Sequence, residues 1–259
     1  MILQHKGINV FYTDKGKGNT VVLLHGFLEN TNMWIPFIPS ISKNNRVICI
    51  DLLGHGKTGC LGYIHTMELM ASVVEAVIKK LKINEAFIVG HSMGGYVALA
   101  LADKYPKLIK GLCLMNSTAQ ADTFEKKQNR DRAIVAVKDN HQRFIKMAIS
   151  NLLRPKNRIL FSEAIKQTTQ EALQTPLQGI VAALEGMKIR KERQYLLQHT
   201  NYKQLMIVGK KDPVLDYTSL VNETKNTPVK VVEFPDGHMS HIENEKQLLQ
   251  NIMHFIEKN

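Results

Sequence analysis

The stretch that most constrains this chain is Ala86-Phe87-Ile88-Val89-Gly90-His91-Ser92-Met93-Gly94-Gly95-Tyr96. Residues 86–89 form a short apolar run of the buried-strand type, and residues 96–102, rich in Ala and Leu and ending before Pro106, have the composition of a helix. Between them, Gly90-x-Ser92-x-Gly94 leaves one residue to turn a strand into a helix. A corner this tight forces its central residue into a strained backbone conformation, and glycines two places before and after it let the neighbouring backbone close in. Ser92 is therefore expected at the carboxyl end of a sheet with its hydroxyl presented, a candidate nucleophile. The turn also aims the first amides of the helix, Met93 foremost, at the space above that hydroxyl, where the helix dipole favours negative charge.

The rest of the chain repeats the same alternation. Residues 8–12 alternate and run into the turn-rich Asp14-Lys15-Gly16-Lys17-Gly18-Asn19, which predicts a hairpin onto the apolar run at residues 20–24. That run delivers the chain into His25-Gly26-Phe27-Leu28, where the glycine would let backbone amides approach a ligand. A second run, residues 46–50, ends in Asp51-x-x-Gly54-x-Gly56, and residues 66–81 carry Met70, Val73, Val77 and Leu81 at helical spacing. Further strands are expected at residues 111–115, 204–208 and 229–234. The closing helix places Leu248, Leu249, Ile252, Phe255 and Ile256 on one face. The order predicts an α/β fold with a mostly parallel central sheet covered by helices on both faces. Between residues 119 and 203 strands vanish and helix formers dominate, with breaks expected near Arg154-Pro155, Thr175-Pro176 and Gly186. This segment reads as a helical cap inserted into one core made of residues 1–118 and 204–259.

Open α/β sheets place ligand crevices at the carboxyl ends of their strands. The loops there carry His25-Gly26-Phe27, Ser92, Asp212 and His238. A serine hydroxyl is a poor nucleophile at neutral pH and needs a base within hydrogen-bond reach, itself oriented by a third group. Serine, acid and histidine, in that order, supply all three. Asp216 stands close enough to Asp212 to replace it, and His241 close enough to His238. His25, Asp51 and His55 read as turn-bracing groups beside the site.

Taken together, the His25-Gly26 loop, the Asp51-x-x-Gly54-x-Gly56 turn, the elbow from Gly90 to Gly94, Gly209-x-x-Asp212-Pro213, and Gly237-His238 followed by Glu243 resemble a capped, single-domain, esterase-like α/β-hydrolase. The resemblance spans essentially the whole chain. It departs from many members at Glu245, where they have a proline. It implies that Ser92 attacks a carbonyl carbon, that His238 shuttles the proton, that Asp212 orients the imidazole, and that the backbone amides of Phe27 and Met93 hold the oxyanion. A carboxylic ester is the expected substrate; thioester, lactone, carbon–carbon bond cleavage and perhydrolysis share the same machinery. A ligand receptor or interaction protein built on the same fold is the reading from another class. Serine at the elbow argues against the branches that attack through an aspartate.

Leu28, Trp34, Leu184 and Met187 are candidates for the substrate pocket. No cofactor or metal is called for: Cys49, Cys60 and Cys113 are odd in number and unclustered, as reduced packing residues are. No apolar run reaches the roughly 18 residues of a membrane span. The first residues lack the long apolar segment of a signal peptide, so a cytoplasmic protein is expected, with its oligomeric state open. The chain of 259 residues has a net charge of +11, unaccompanied by any nucleic-acid-binding module. Residues 118–203 hold 16 Lys and Arg against 8 Asp and Glu, a net of +8. Two readings follow: these charges form solvated helix faces, as charge runs on helices usually do, or Arg190, Lys191 and Arg193 form a positive rim that steers an anionic small-molecule substrate towards the entrance.

Overall fold

The computed structural model describes residues 1–198 and 201–257. Eight strands form one sheet: β1 (Ile2–His5), β2 (Ile8–Gly16), β3 (Asn19–Leu24), β4 (Asn45–Ile50), β5 (Ala86–His91), β6 (Ile109–Met115), β7 (Lys203–Gly209) and β8 (Lys230–Phe234). Their spatial order is β1-β2-β4-β3-β5-β6-β7-β8. Strands β3 to β8 pair in parallel, and β1 and β2 add an antiparallel edge. Helices α1 (Ile38–Ile41), α2 (Met67–Lys80), α3 (Met93–Lys104), α4 (Phe124–Asp139), α5 (His141–Leu152), α6 (Ser162–Ala172), α7 (Leu177–Lys188), α8 (Tyr217–Glu223), α9 (Ser240–Glu243) and α10 (Glu245–Glu257) complete the chain.

Strand alternation splits the core into two layers. Val22, Leu24, Ile48 and Ile88 pack with α2 and α3, whereas Val21, Leu23, Phe87 and Val89 pack with α1 and α10. Four helices, α4 to α7, lie between β6 and β7 in the chain, with no strand among them. After β3 the chain steps to β4 on one side and then returns to β5 on the other. The loops leaving β3 and β5 therefore diverge from a reversal of strand order, and a crevice opens there.

The expected hairpin between residues 8–12 and 20–24 is not formed. Strand β2 extends to Gly16 and pairs with β4, not β3. Gly16 and Gly18, at φ +81° and +112°, pass so close to the carbonyls of Asn45 and Asn44 that a Cβ would stand 2.2 and 2.4 Å from them. The chain thus climbs over the start of β4 and enters β3 on its far side. The hairpin that does form joins β1 to β2 through Lys6 and Gly7, both with positive φ.

The expected break at Gly186 is also absent, because α7 runs straight through it. A Cβ on Gly186 would stand 1.8 Å from the carbonyl oxygen of His65, and one on Gly179 2.2 Å from that of Gly54. These glycines let α7 lie directly on the loop after β4. In a helix interior Gly→Ala ordinarily stabilises by about 0.5–1 kcal/mol. Gly186→Ala is expected to do the reverse, destabilising by about 1–3 kcal/mol through the backbone clash. A melting temperature at or above that of the wild type would refute this account of the glycine.

Candidate active site

Ser92 sits between β5 and α3 with φ +49° and ψ −114°, a left-side conformation rare for a residue with a side chain. Its surroundings fix it there. A Cβ on Gly90 would lie 2.4 Å from the Gly94 carbonyl oxygen, and one on Gly94 would lie 2.5 Å from that of Leu24. The Ser92 amide donates to Met115 O at 2.9 Å, and Ser117 Oγ donates to Ser92 O at 2.8 Å.

Three side chains converge at this corner. His238 Nε2 lies 2.8 Å from Ser92 Oγ, and His238 Nδ1 lies 2.7 Å from Asp212 Oδ2. The Asp212 side chain is fully buried. Its other oxygen accepts from the amides of Val214 and Leu215 at 2.8 and 3.0 Å. Burial alone would raise the carboxyl's pKa, but the charge and hydrogen bond of His238 and those two amides outweigh it and hold the group below its usual range. A carboxylate here fixes the Nδ1–H tautomer and leaves Nε2 to accept from the serine.

Asp216 plays a different part: it caps α8, accepting from the Ser219 amide at 2.7 Å. His241 lies 3.3 Å from Glu29 Oε1, and it is His238 that bonds to Ser92. His25 and Asp51 brace loops. His25 donates to Gly26 O and accepts from Leu52 N, while Asp51 accepts from the amides of Thr31 and Lys57. His55 donates to Leu53 O and packs edge-on against Phe27.

Residues that the sequence reading passed over hold the site together. Asn116, fully buried at the end of β6, donates to Asp212 Oδ2 at 3.2 Å and to Gly237 O at 3.1 Å, and accepts from Ser240 Oγ at 2.6 Å. Its positive φ of 45° was the one local anomaly, and a lone Asn after a strand carries no pattern that announces it. Glu29 is 4 % exposed, accepts from the Gly26 amide at 2.7 Å, and lies 2.6 Å from His91 Nδ1. His91 Nε2 in turn lies 3.0 Å from the carbonyl of His238. Gly26 makes room for this packing: a Cβ there would stand 2.4 Å from Glu29 Oε2 and 2.7 Å from His91 Nδ1.

The chain Glu29···His91···O=C of His238 determines its own protonation. A carbonyl only accepts, so Nε2 carries a proton, and a carboxylate oxygen 2.6 Å from Nδ1 calls for a second. His91 is an imidazolium paired with Glu29. Among the described residues Glu29, His91 and His241 are the group whose ligand atoms come within 4.8 Å of one another. The 2.6 Å contact is that of a hydrogen bond, shorter than the roughly 3.3 Å between two ligands of a tetrahedral zinc.

A cavity of about 80 Å³ opens over Ser92 and His238. Phe27, Leu28, Ala148, Leu152, Met187 and Val214 make its walls apolar, and Tyr96 and Arg130 also line it. Leu28 has a positive φ of 63° in the turn that carries Phe27. Two candidates do not belong to this lining. Trp34 is fully buried with Phe37 in the layer beneath the opposite face of the sheet, and Leu184 is packed into the α2/α3 layer. The end of α5 meets the loop after β8: the His238 amide donates to Leu152 O, and Glu243 accepts from the amides of Arg154 and Gly237.

The positive rim expected from Arg190, Lys191 and Arg193 is not there. Arg190 is 5 % exposed, bonded to Asp122 at 2.5 Å and stacked 4.1 Å over the Tyr96 ring. Arg193 is 3 % exposed and bridges Glu68 and Asp103. Lys191 alone is exposed. Of the charges expected at the rim, Arg190's is taken up by Asp122 within the same segment and Arg193's by Glu68 and Asp103 outside it.

Comparison with known proteins gives a consistent picture. The family described as alpha/beta hydrolase fold matches residues 19–245. Over 94 % of its length the chain is 28 % identical to the dihydrolipoyllysine-residue acetyltransferase component of the acetoin cleaving system of Pseudomonas putida, of which it spans 65 %. It spans 63 % of the corresponding Cupriavidus necator protein. The structure of a thermophilic esterase from Thermogutta terrifontis, with malate bound, superposes with a TM-score of 0.90 at 29 % identity, covering 98 % of this chain and 96 % of that one. An enol-lactonase from Burkholderia xenovorans LB400 superposes at 0.91 over the full length of both chains with 20 % identity, a likeness of fold.

The Glu29–His91 pair makes stability depend on pH from both sides. Burial opposes ionisation of Glu29, but His91 and His241 beside it bring its pKa from 4.5 down to about 2, so its stabilisation is complete above 4.5 and fades as pH falls towards 2. Burial likewise opposes charging of His91, yet Glu29 raises its pKa above 6.5, so that stabilisation is complete below 6.5 and fades as pH rises through the folded value. Glu29→Gln is expected to lower stability most between about 4.5 and 6.5, with the gap narrowing under acid. Urea denaturation of both proteins across pH tests this, and a gap that stays constant below 4.5 would contradict it.

Proposed function

The chain belongs to the α/β-hydrolase fold family, and from that premise we propose that it is a serine hydrolase acting on small carboxylic esters. One observation carries the reading: the unbroken relay from Ser92 Oγ to His238 Nε2 at 2.8 Å and from His238 Nδ1 to Asp212 at 2.7 Å. In this mechanism Ser92 Oγ attacks the ester carbonyl carbon while His238 Nε2 takes its proton. Asp212 stabilises the imidazolium that forms and keeps its ring in place. The negative charge on the carbonyl oxygen is received by backbone amides of Met93, which opens α3 and has no partner within the helix, and of Phe27 in the facing loop. His238 then protonates the leaving alkoxide, and an acyl group remains on Ser92. Water, deprotonated by the same histidine, releases the acid and restores the serine.

Residues 119–203 act as a cap over a core of residues 1–118 and 204–259, and set substrate size. The cap's share of the wall includes Ala148, Leu152 and Met187, and the enclosed volume is about 80 Å³. Short acyl groups fit such a space.

The covalent step is tested with a fluorophosphonate and mass spectrometry. The adduct is expected on the peptide containing Ser92, and equal labelling of Ser92→Ala would sink the assignment. His238→Ala should lower kcat by about a thousandfold or more, as loss of the base does in such triads. Asp216→Asn should leave kcat within about threefold, in keeping with a capping role, whereas Asp212→Asn should lower it far more. In a panel of 4-nitrophenyl esters, acetate to butyrate should be preferred over octanoate by kcat/KM. Turnover that rises with chain length would overturn the size argument.

A further inference from the structure

Arg130 is the one arginine or lysine in the wall of the Ser92 cavity, and the carboxylate it pairs with is shared. The relevant acid is Asp122, whose side chain is completely buried. Asp122 Oδ1 is taken by Arg190 NH1 at 2.5 Å, and Oδ2 by Arg130 Nε at 3.1 Å. Arg190 has the stronger claim. It is buried, it donates also to the carbonyls of Gln120 and Met187, and it is held against Tyr96. Lys126, one turn before Arg130 on α4, adds a third positive charge to the group. Burial lowers the pKa of its amine, and Arg190 and Arg130 lower it further while Asp122 and Glu223 work against them. Two guanidinium groups therefore share the Asp122 carboxylate, with the Lys126 amine beside them.

Within this cluster Arg130 is the member in contact with the cavity. Its Nε is spent on Asp122, its one hydrogen-bond partner among the described residues, which fixes the plane of the guanidinium. The two terminal nitrogens keep their donors. A guanidinium anchored through Nε and open at its terminal nitrogens is preorganised for a carboxylate, which it grips with two parallel hydrogen bonds. Its side chain is 22 % exposed, so a bound anion would be partly shielded from water and salt. The remaining walls offer mostly apolar surface, so a carboxylate entering the cavity finds its partner at Arg130.

We propose that Arg130 is a carboxylate subsite of the Ser92 cavity and that the preferred substrates are short esters whose acyl part ends in a carboxylate, the monoesters of small dicarboxylic acids. This rests on the reading of Ser92 as the nucleophile. The small cavity brings the guanidinium and the serine hydroxyl to one enclosed space, which suits a spacer of a few carbon atoms between the scissile carbonyl and the carboxylate. Because the contact is already made in the ground state, its effect falls on KM more than on kcat.

The test uses two esters with the same number of acyl carbons, 4-nitrophenyl butyrate and 4-nitrophenyl hydrogen succinate. The wild type should favour the succinate by kcat/KM. Arg130→Gln should reduce the ratio of the two constants by about tenfold to a hundredfold, the range for a hydrogen bond to a charged group, chiefly through KM of the succinate. Arg130→Lys, which keeps the charge and loses the fork, should fall between. On the wild type alone, free succinate should inhibit butyrate hydrolysis competitively while succinamide does not, which keeps the test valid if Arg130→Gln misfolds. Turnover of both esters with no preference for succinate, or a ratio unchanged in Arg130→Gln, would overturn the subsite and leave the serine mechanism standing. No turnover of either ester together with no labelling of Ser92 would instead overturn the serine mechanism, and the subsite with it.

Discussion

Everything near the site depends on one backbone conformation, the positive φ of Ser92. Such a conformation in a residue with a side chain costs about 1–3 kcal/mol and persists only where the surroundings over-determine it. Here they do so by contact. The carbonyls of Leu24 and His25 at the end of β3 press against Gly94, leaving no room for a side chain, and Gly95 meets Ser117 at the end of β6. Ser92 is then hydrogen-bonded on its amide and carbonyl to β6 and the residues just after it. Three adjacent parallel strands thus converge on one residue. Because α3 starts immediately after it, the same packing that holds the strain also aims the helix amides over the hydroxyl.

His238 is held with comparable redundancy, from directions that belong to different parts of the chain. Asp212 holds its ring, and the carbonyl of Leu152, at the end of α5, receives its amide. Its own carbonyl receives the proton of His91, whose charge is set by Glu29 in the loop after β3. The imidazole is therefore placed by Asp212 after β7, by the end of α5 and by the loop that carries Phe27. Neutralisation of His91 by Glu29 matters for a second reason. The His91 and His238 rings lie 5.2 Å apart, and an unpaired imidazolium at that distance would oppose the positive charge that His238 gains when it accepts the serine's proton.

The sequence reveals features whose cause is local. Apolar runs mark β3 to β7, and tight glycine spacing marks the corner at Ser92. The order Ser92, Asp212, His238 picks out three residues that the fold brings within hydrogen-bond distance. Features caused by distant neighbours stay hidden. Gly186 looks like a helix breaker until the carbonyl of His65 is seen against it, and Gly16 and Gly18 look like a hairpin turn until β4 is seen passing beneath them. Asn116 and Glu29 make no pattern at all, since each earns its place through partners far away in the chain, such as Asp212 for one and His91 for the other. Trp34 follows the loop beside the site in sequence, but the short helical turn at residues 31–34 packs it with Phe37 into the layer on the other face of the sheet.

Charge shows the same limit most sharply. A net of +8 over residues 118–203 suggests a positive surface, because counting assigns every charge to solvent. Folding sorts the charges by partner. Arg193 leaves the segment to bridge Glu68 and Asp103 on α2 and α3, and Arg190 turns inward to Asp122. What remains unbalanced is set by stoichiometry within a buried cluster, where desolvation makes each missing countercharge felt far more than it would be at the surface. Asp122 is shared by Arg190 and Arg130, and of the two Arg130 is the one that lines the cavity. Counting charges along the chain therefore says little about the cavity, where what matters is that Arg130, in the same lining as Ser92, shares its carboxylate with Arg190.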